Sequence, residues 1–182
     1  MDLLYSLAEA VTRFMASSPG LPISLLYIIV AGIPVTLLHE LGHAVAARRL
    51  LGGDVQVSVG SAGKIAEMRL GDIAVSVNAL GHPARVAGLA EFDGSRATAR
   101  DAALIALAGP AASLVGTAIT WWLFASTSAG VVNDLLWAAT GAGVFGVLNL
   151  VPIKFQERRN GPAMRSDGRL ALDALRVARA LR

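Results

Sequence analysis

Residues His39-Glu40-Leu41-Gly42-His43 carry the most specific chemical pattern in the chain. Two histidines four apart share one face of a helix, so both imidazoles can reach a single metal ion, while the glutamate beside the first reaches a water held there. The natural ion for such a site is zinc, which acidifies water enough for a carboxylate to act as general base. The chain has no cysteine, so thiolate metal sites, disulfides and thiol catalysis are excluded, and any metal rests on histidine and carboxylate. A zinc that turns over substrate needs a third protein ligand and an open fourth position. The competing reading, two helix histidines with no ligand, is disfavoured because ionisable groups inside an apolar span are costly and mark functional sites.

The surrounding sequence sets where this motif lies. Hydrophobic residues make up 54% of the 182 and charged residues 16%, and three stretches, 14–38, 102–133 and 135–153, contain no Asp, Glu, Lys or Arg. A bilayer-spanning helix needs about 20 apolar residues. The expectation is an α-helical integral membrane protein with a three-span core, the spans covering about 21–50, 97–126 and 131–152, in one membrane-embedded domain over 1–182. Ser17-Ser18-Pro19-Gly20 separates the first span from an interfacial amphipathic helix over 1–20, whose Glu9 and missing basic start make it a poor signal peptide. Gly52-Gly53 ends the first span, which Pro34 should kink, and Ser95 or Thr98 could cap the second.

Between those spans Val55, Val57 and Val59 alternate with polar residues and Ile73, Val75 and Val77 with small ones, with Gly60 to Gly63 as a turn between them. This predicts a small β hairpin or sheet on the cytoplasmic side, in which 73–77 offers an edge to an extended substrate segment. Residues 79–95 read as a glycine-punctuated loop. His82, in Gly81-His82-Pro83, is more readily a loop histidine than a ligand, although it could line a site. Small residues around Gly109-Pro110, and Gly141, Gly143 and Gly146 in the third span, suit close helix packing. Trp121 and Trp122 read as interfacial anchors, and residues 166–182 as a basic amphipathic helix on the cytoplasmic surface.

Basic residues fix the expected orientation. Arg13 alone precedes the first span, seven basic residues lie between the first and second, none lies in 125–134, and eight follow the third. The positive-inside rule puts the N-terminus outside and the C-terminus in the cytoplasm. It also places Asp134 on the outer side, most of a bilayer from His43. The net charge of +3 follows span ends without basic–aromatic clustering, so a nucleic-acid partner is not expected. A soluble metalloprotease is excluded by the uncharged runs, and three spans offer little for alternating-access transport. Arginine in excess of lysine, with abundant alanine, points to a bacterial source.

With HELGH at 39–43 in the first span, Ala108-Gly109-Pro110 in the second, Asn149-Leu150-Val151-Pro152 at the third and Asp167-Gly168 after it, the chain resembles the site-2 proteases, intramembrane zinc metalloproteases. The resemblance implies one zinc per chain held by His39, His43 and Asp167, with Glu40 as catalytic base and Asn149 helping to bind substrate backbone or oxyanion. It implies a membrane-anchored protein or peptide as substrate within the lipid bilayer, and leaves oligomerisation open. Ser113 stands where the family carries Asn, and the interval from Pro152 to Asp167 is longer than usual. Asp167 read by itself could be an N-terminal helix cap, the reading set second to a ligand because the zinc geometry otherwise lacks a carboxylate, and Asn149 is equally helix-packing glue. An alternative from another class is a catalytically silent zinc-binding membrane protein that acts through a partner; the intact Glu40 argues against it.

Overall fold

Long apolar segments bounded by capping residues and glycines form the framework of the computed structural model, which describes residues 21–79, 88–128, 130–153 and 165–180. Helix α1 (Leu21–Leu51) runs through Pro34 and ends at Gly52 and Gly53, whose φ angles of +73° and +77° suit glycine. Strands β1 (Val55–Val59), β2 (Lys64–Leu70), β3 (Ile73–Asn78) and β4 (Gly88–Phe92) follow. Helix α2 (Ala99–Ser126) starts at Thr98, whose hydroxyl accepts from the Asp101 amide while the Asp101 carboxylate accepts from the Thr98 amide, a reciprocal capping box. Helices α3 (Val131–Leu148) and α4 (Asp167–Ala180) complete the described chain.

Three helices, over Leu26–Leu51, Ala99–Ser126 and Val131–Leu148, are long and apolar enough to cross a membrane. They pack pairwise and antiparallel in sequence order: Gly42 of α1 lies against Ala108 and Ala112 of α2, and Thr120 of α2 meets Thr140 of α3 through a 3.0 Å hydroxyl hydrogen bond. Outward faces carry Leu26, Ile28, Leu114, Ile119 and Phe145, all exposed, as surfaces bathed in lipid would be. The third helix stops at Leu148, short of the expected 152, because the last turns tighten to bonds from the Leu150 and Val151 amides to the Val147 and Leu148 carbonyls, and Pro152 cannot continue it.

The strands form one sheet in the order β2-β3-β1-β4. The two valine-alternating segments are direct neighbours, but they run parallel, Val57 opposite Val75, so they do not form a hairpin. Residues 60–63 lead instead into β2, which pairs antiparallel with β3 and supplies the reversal that a parallel neighbour requires. Val55, Val57, Ile73 and Val75 bury one face of the sheet against Ala44 and Ala47 of α1 and Ile105 of α2. Two expectations change here. Segment 73–77 is interior, paired on both sides, and so offers no edge. Residues 88–92, within the expected loop, are a strand whose register on β1 (Ala90 opposite Val57) supplies what its short Gly-Leu-Ala-Glu-Phe sequence lacks in propensity. The expected helix over 1–20 and His82 lie outside the described residues.

Candidate metal centre

His39 and His43, one turn apart on α1, meet Asp167, the first residue of α4, in a buried cluster. The Nε2 atoms of the two histidines are 3.2 Å apart, and Oδ2 of Asp167 lies 3.0 Å from that of His39 and 3.4 Å from that of His43. A tetrahedral zinc with bonds of about 2.0–2.1 Å separates its ligand atoms by about 3.3–3.4 Å. Among the described residues this is the one group of three or more His, Asp or Glu side chains close enough to share an ion, and the donor set of two imidazoles and a carboxylate fits zinc.

Each of the three side chains has a further partner, the histidines through Nδ1 and Asp167 at Oδ2 itself. His43 Nδ1 donates to the carbonyl oxygen of Ile105 at 2.7 Å; a carbonyl only accepts, so in the neutral imidazole the proton sits on Nδ1 and the Nε2 lone pair faces the cluster. His39 Nδ1 lies 2.8 Å from Oγ of Ser113 on α2. The amide of Asn149 donates to Asp167 Oδ2 at 2.7 Å. Burial alone would raise the Asp167 carboxyl, but the neighbouring imidazoles of His39 and His43 outweigh it and hold the carboxyl down at about 2.

The long interval before Asp167 closes on itself. Ser166 accepts from the Ile153 amide through its hydroxyl at 2.9 Å and donates that hydroxyl to the Val151 carbonyl, and the Gly168 amide donates to the Asn149 carbonyl at 2.9 Å. These bonds pin the start of α4 to the end of α3 whatever path 154–164 takes. Gly109 of the Ala-Gly-Pro segment is required for a different reason: a Cβ there would fall 2.2 Å from His43 Nε2.

The cluster opens into a cavity of about 620 Å³. Glu40 lines it beside the three buried side chains, and so does β4, where the Gly88 backbone leaves no room for a side chain beside the Glu40 carboxylate and Leu89 and Phe92 contribute apolar surface. Arg165 stands at the same cavity, paired with Asp173 at 3.3 Å. The structure thus brings together His39, Glu40, His43, Asn149 and Asp167, and directs Asn149 toward Asp167. Sequence reasoning missed Gly88 and treated Ser113 as a small packing residue and a departure from the family pattern. No one-dimensional signal marks a glycine in a weak strand, whereas a serine one helical turn after Gly109 stands out in the sequence as a polar residue in an apolar run.

The described structure thus combines three helices long and apolar enough to cross a membrane with a buried His-His-carboxylate cluster and an adjacent glutamate. The family model of peptidase family M50 matches residues 26–129, more than half of the chain, and the chain belongs to that family, the site-2 proteases. Its members are zinc-dependent intramembrane metalloproteases. The matched region contains HELGH and Ala-Gly-Pro and ends before Asn149 and Asp167. No curated protein matches the chain.

Proposed function

We propose that this protein hydrolyses peptide bonds in or near the transmembrane segment of membrane-anchored proteins or peptides, with one zinc held by His39, His43 and Asp167 and with Glu40 as general base. The observation that carries the reading is the convergence of two Nε2 atoms and one carboxylate oxygen within 3.4 Å of one another, in a cavity that Glu40 also lines. Zinc, when bound, supplies a Lewis acid that polarises the scissile carbonyl and acidifies water. Glu40 takes a proton from the attacking water as its oxygen bonds to the carbonyl carbon, and returns that proton to the nitrogen as the C–N bond breaks. Ser113, the Ile105 carbonyl and Asn149 hold the three metal-facing groups in place.

A helical substrate hides its amides in its own hydrogen bonds and must unwind before it can react. Strand β4 is the edge suited to receive it: it ends the sheet and lines the cavity beside Glu40, so an extended segment adding there would run past the cluster. The chain acts as a single unit over 1–182 in a cell membrane of bacterial origin, with its N-terminus outside and the cluster toward the cytoplasmic side, as the basic residues indicate.

The test uses purified full-length protein in liposomes with a membrane-spanning reporter. Cleavage by wild type, its loss in Glu40→Gln and zinc retained in that variant are the expected results. Equal cleavage by wild type and Glu40→Gln would overturn the assignment of the base, and zinc-loaded wild type inert on a panel of spanning reporters would favour the catalytically silent alternative.

A further inference from the structure

His43 and His39 are not held alike. The Nδ1 proton of His43 goes to a main-chain carbonyl, which no side-chain substitution at that position removes. The Nδ1 of His39 faces a single side chain, the Ser113 hydroxyl at 2.8 Å, and Ser113 is 1% exposed. That hydroxyl is sealed in from a third helix: a Cβ at position 146 of α3 would fall 2.3 Å from Ser113 Oγ and 3.4 Å from His39 Nδ1. Helix α3 therefore closes over the Ser113–His39 pair only because residue 146 is glycine, and the pair sits where α1, α2 and α3 meet, away from water.

We propose that Ser113, backed by Gly146, is a positioning residue that sets the tautomer and ring orientation of His39 and thereby the zinc affinity of the site. The inference rests on the zinc-site reading above. An imidazole that binds metal through Nε2 carries its proton on Nδ1, and a partner for that proton both fixes the ring and raises the basicity of Nε2. A serine oxygen accepts it while retaining its own proton for another acceptor. Without the hydroxyl, the Nδ1–H is buried with no partner and the ring is free to rotate or to exchange tautomer, so that Nε2 points a proton at the place where it should offer a lone pair. A packing role alone would leave zinc binding untouched, because the contact between α2 and α3 at this level needs only small volume at 113 and 146.

The experiment measures zinc affinity of detergent-solubilised full-length protein by competition with a chromophoric chelator, and the visible spectrum of the cobalt-substituted protein, for wild type, Ser113→Ala, Ser113→Thr and Asp167→Ala. Ser113→Ala is expected to bind zinc about 10–100-fold more weakly and to change the cobalt bands, with the hydroxyl of Ser113→Thr restoring both. Gly146→Ala, which crowds the same hydroxyl from α3, should weaken zinc in the same direction and carries the test if Ser113→Ala does not fold. Stoichiometric zinc in wild type with an unchanged affinity in Ser113→Ala, or the same loss in Ser113→Thr as in Ser113→Ala, overturns the role of Ser113 alone. Wild type that takes up no zinc overturns the metal-site reading and this inference with it.

Discussion

Asn149 donates its side-chain amide to Oδ2 of Asp167 across 2.7 Å, joining the last turn of α3 to the first residue of α4. The resemblance to the family suggests that this asparagine faces substrate; its observed partner is instead the carboxylate placed to bind metal. The two roles separate kinetically. If Asn149 orients Asp167, Asn149→Ala should weaken zinc about 10–100-fold, and saturating zinc should recover most of the lost turnover. A substrate-binding role predicts normal zinc affinity with a raised KM or a kcat that added zinc does not restore. Zinc titration of activity in Asn149→Ala distinguishes them.

Gly88 makes a prediction about the base rather than the metal. A Cβ at position 88 would stand 2.5 Å from Glu40 Oε1, 2.6 Å from its Cγ and 2.7 Å from Thr36 Cγ2, so the Glu40 side chain has to move if residue 88 is anything larger. Misplacement of a reacting group by about 1 Å can cost on the order of 10²-fold. Gly88→Ala should therefore lower kcat on a spanning reporter by about two orders of magnitude, with zinc content at the wild-type level. Full activity in a folded Gly88→Ala would show that Glu40 does not need this position.

Much of this arrangement was legible because periodicity and covalent spacing act locally. His39 and His43 share a helix face by the geometry of any α-helix, and the three uncharged runs point to the three helices long and apolar enough to cross a membrane. Thr98 caps α2 as one of the two candidates expected. What local rules missed depends on partners distant in sequence. Strand β4 exists through its pairing with β1, thirty or so residues away, and not through its own residues. The alternation at 73–77 gave a strand but could not say how many neighbours it had. Asp167 also fits a helix cap in the sequence, and it is the first residue of α4; only the fold, which returns the chain through the Ser166 hydrogen bonds to Val151 and Ile153, brings that carboxylate to the histidines.

Leu89 tests the cavity wall. It lies on the outermost strand, lines the cavity and is 52% exposed, so a substrate seated there would cover roughly half of the side chain. Covering half a leucine is worth about 1 kcal/mol, or roughly fivefold in affinity. Leu89→Asn should raise KM for an apolar reporter by about that factor and leave kcat and zinc affinity near wild type. A kcat loss with unchanged KM would move the substrate away from β4.

Zinc should also act as a tie between elements. Its proposed ligands come from α1 and from the first residue of α4, 128 positions apart for His39 and Asp167, so an ion bound there joins the two in the folded state and in no unfolded one. An ion that binds only the native state stabilises it by RT ln(1 + [L]/Kd), about 2.7 kcal/mol at a hundredfold excess over Kd. Chelation should accordingly lower the Tm of wild type, and added zinc should restore it in a concentration-dependent way. In Asp167→Ala the two histidines remain, but the bridge to α4 is gone and the site is left with two protein ligands, so the zinc-dependent part of Tm should shrink or vanish. Thermal melts of both proteins across a zinc series, monitored by circular dichroism in the same detergent, read this directly; an equal zinc response in wild type and Asp167→Ala would remove Asp167 from the ligand set.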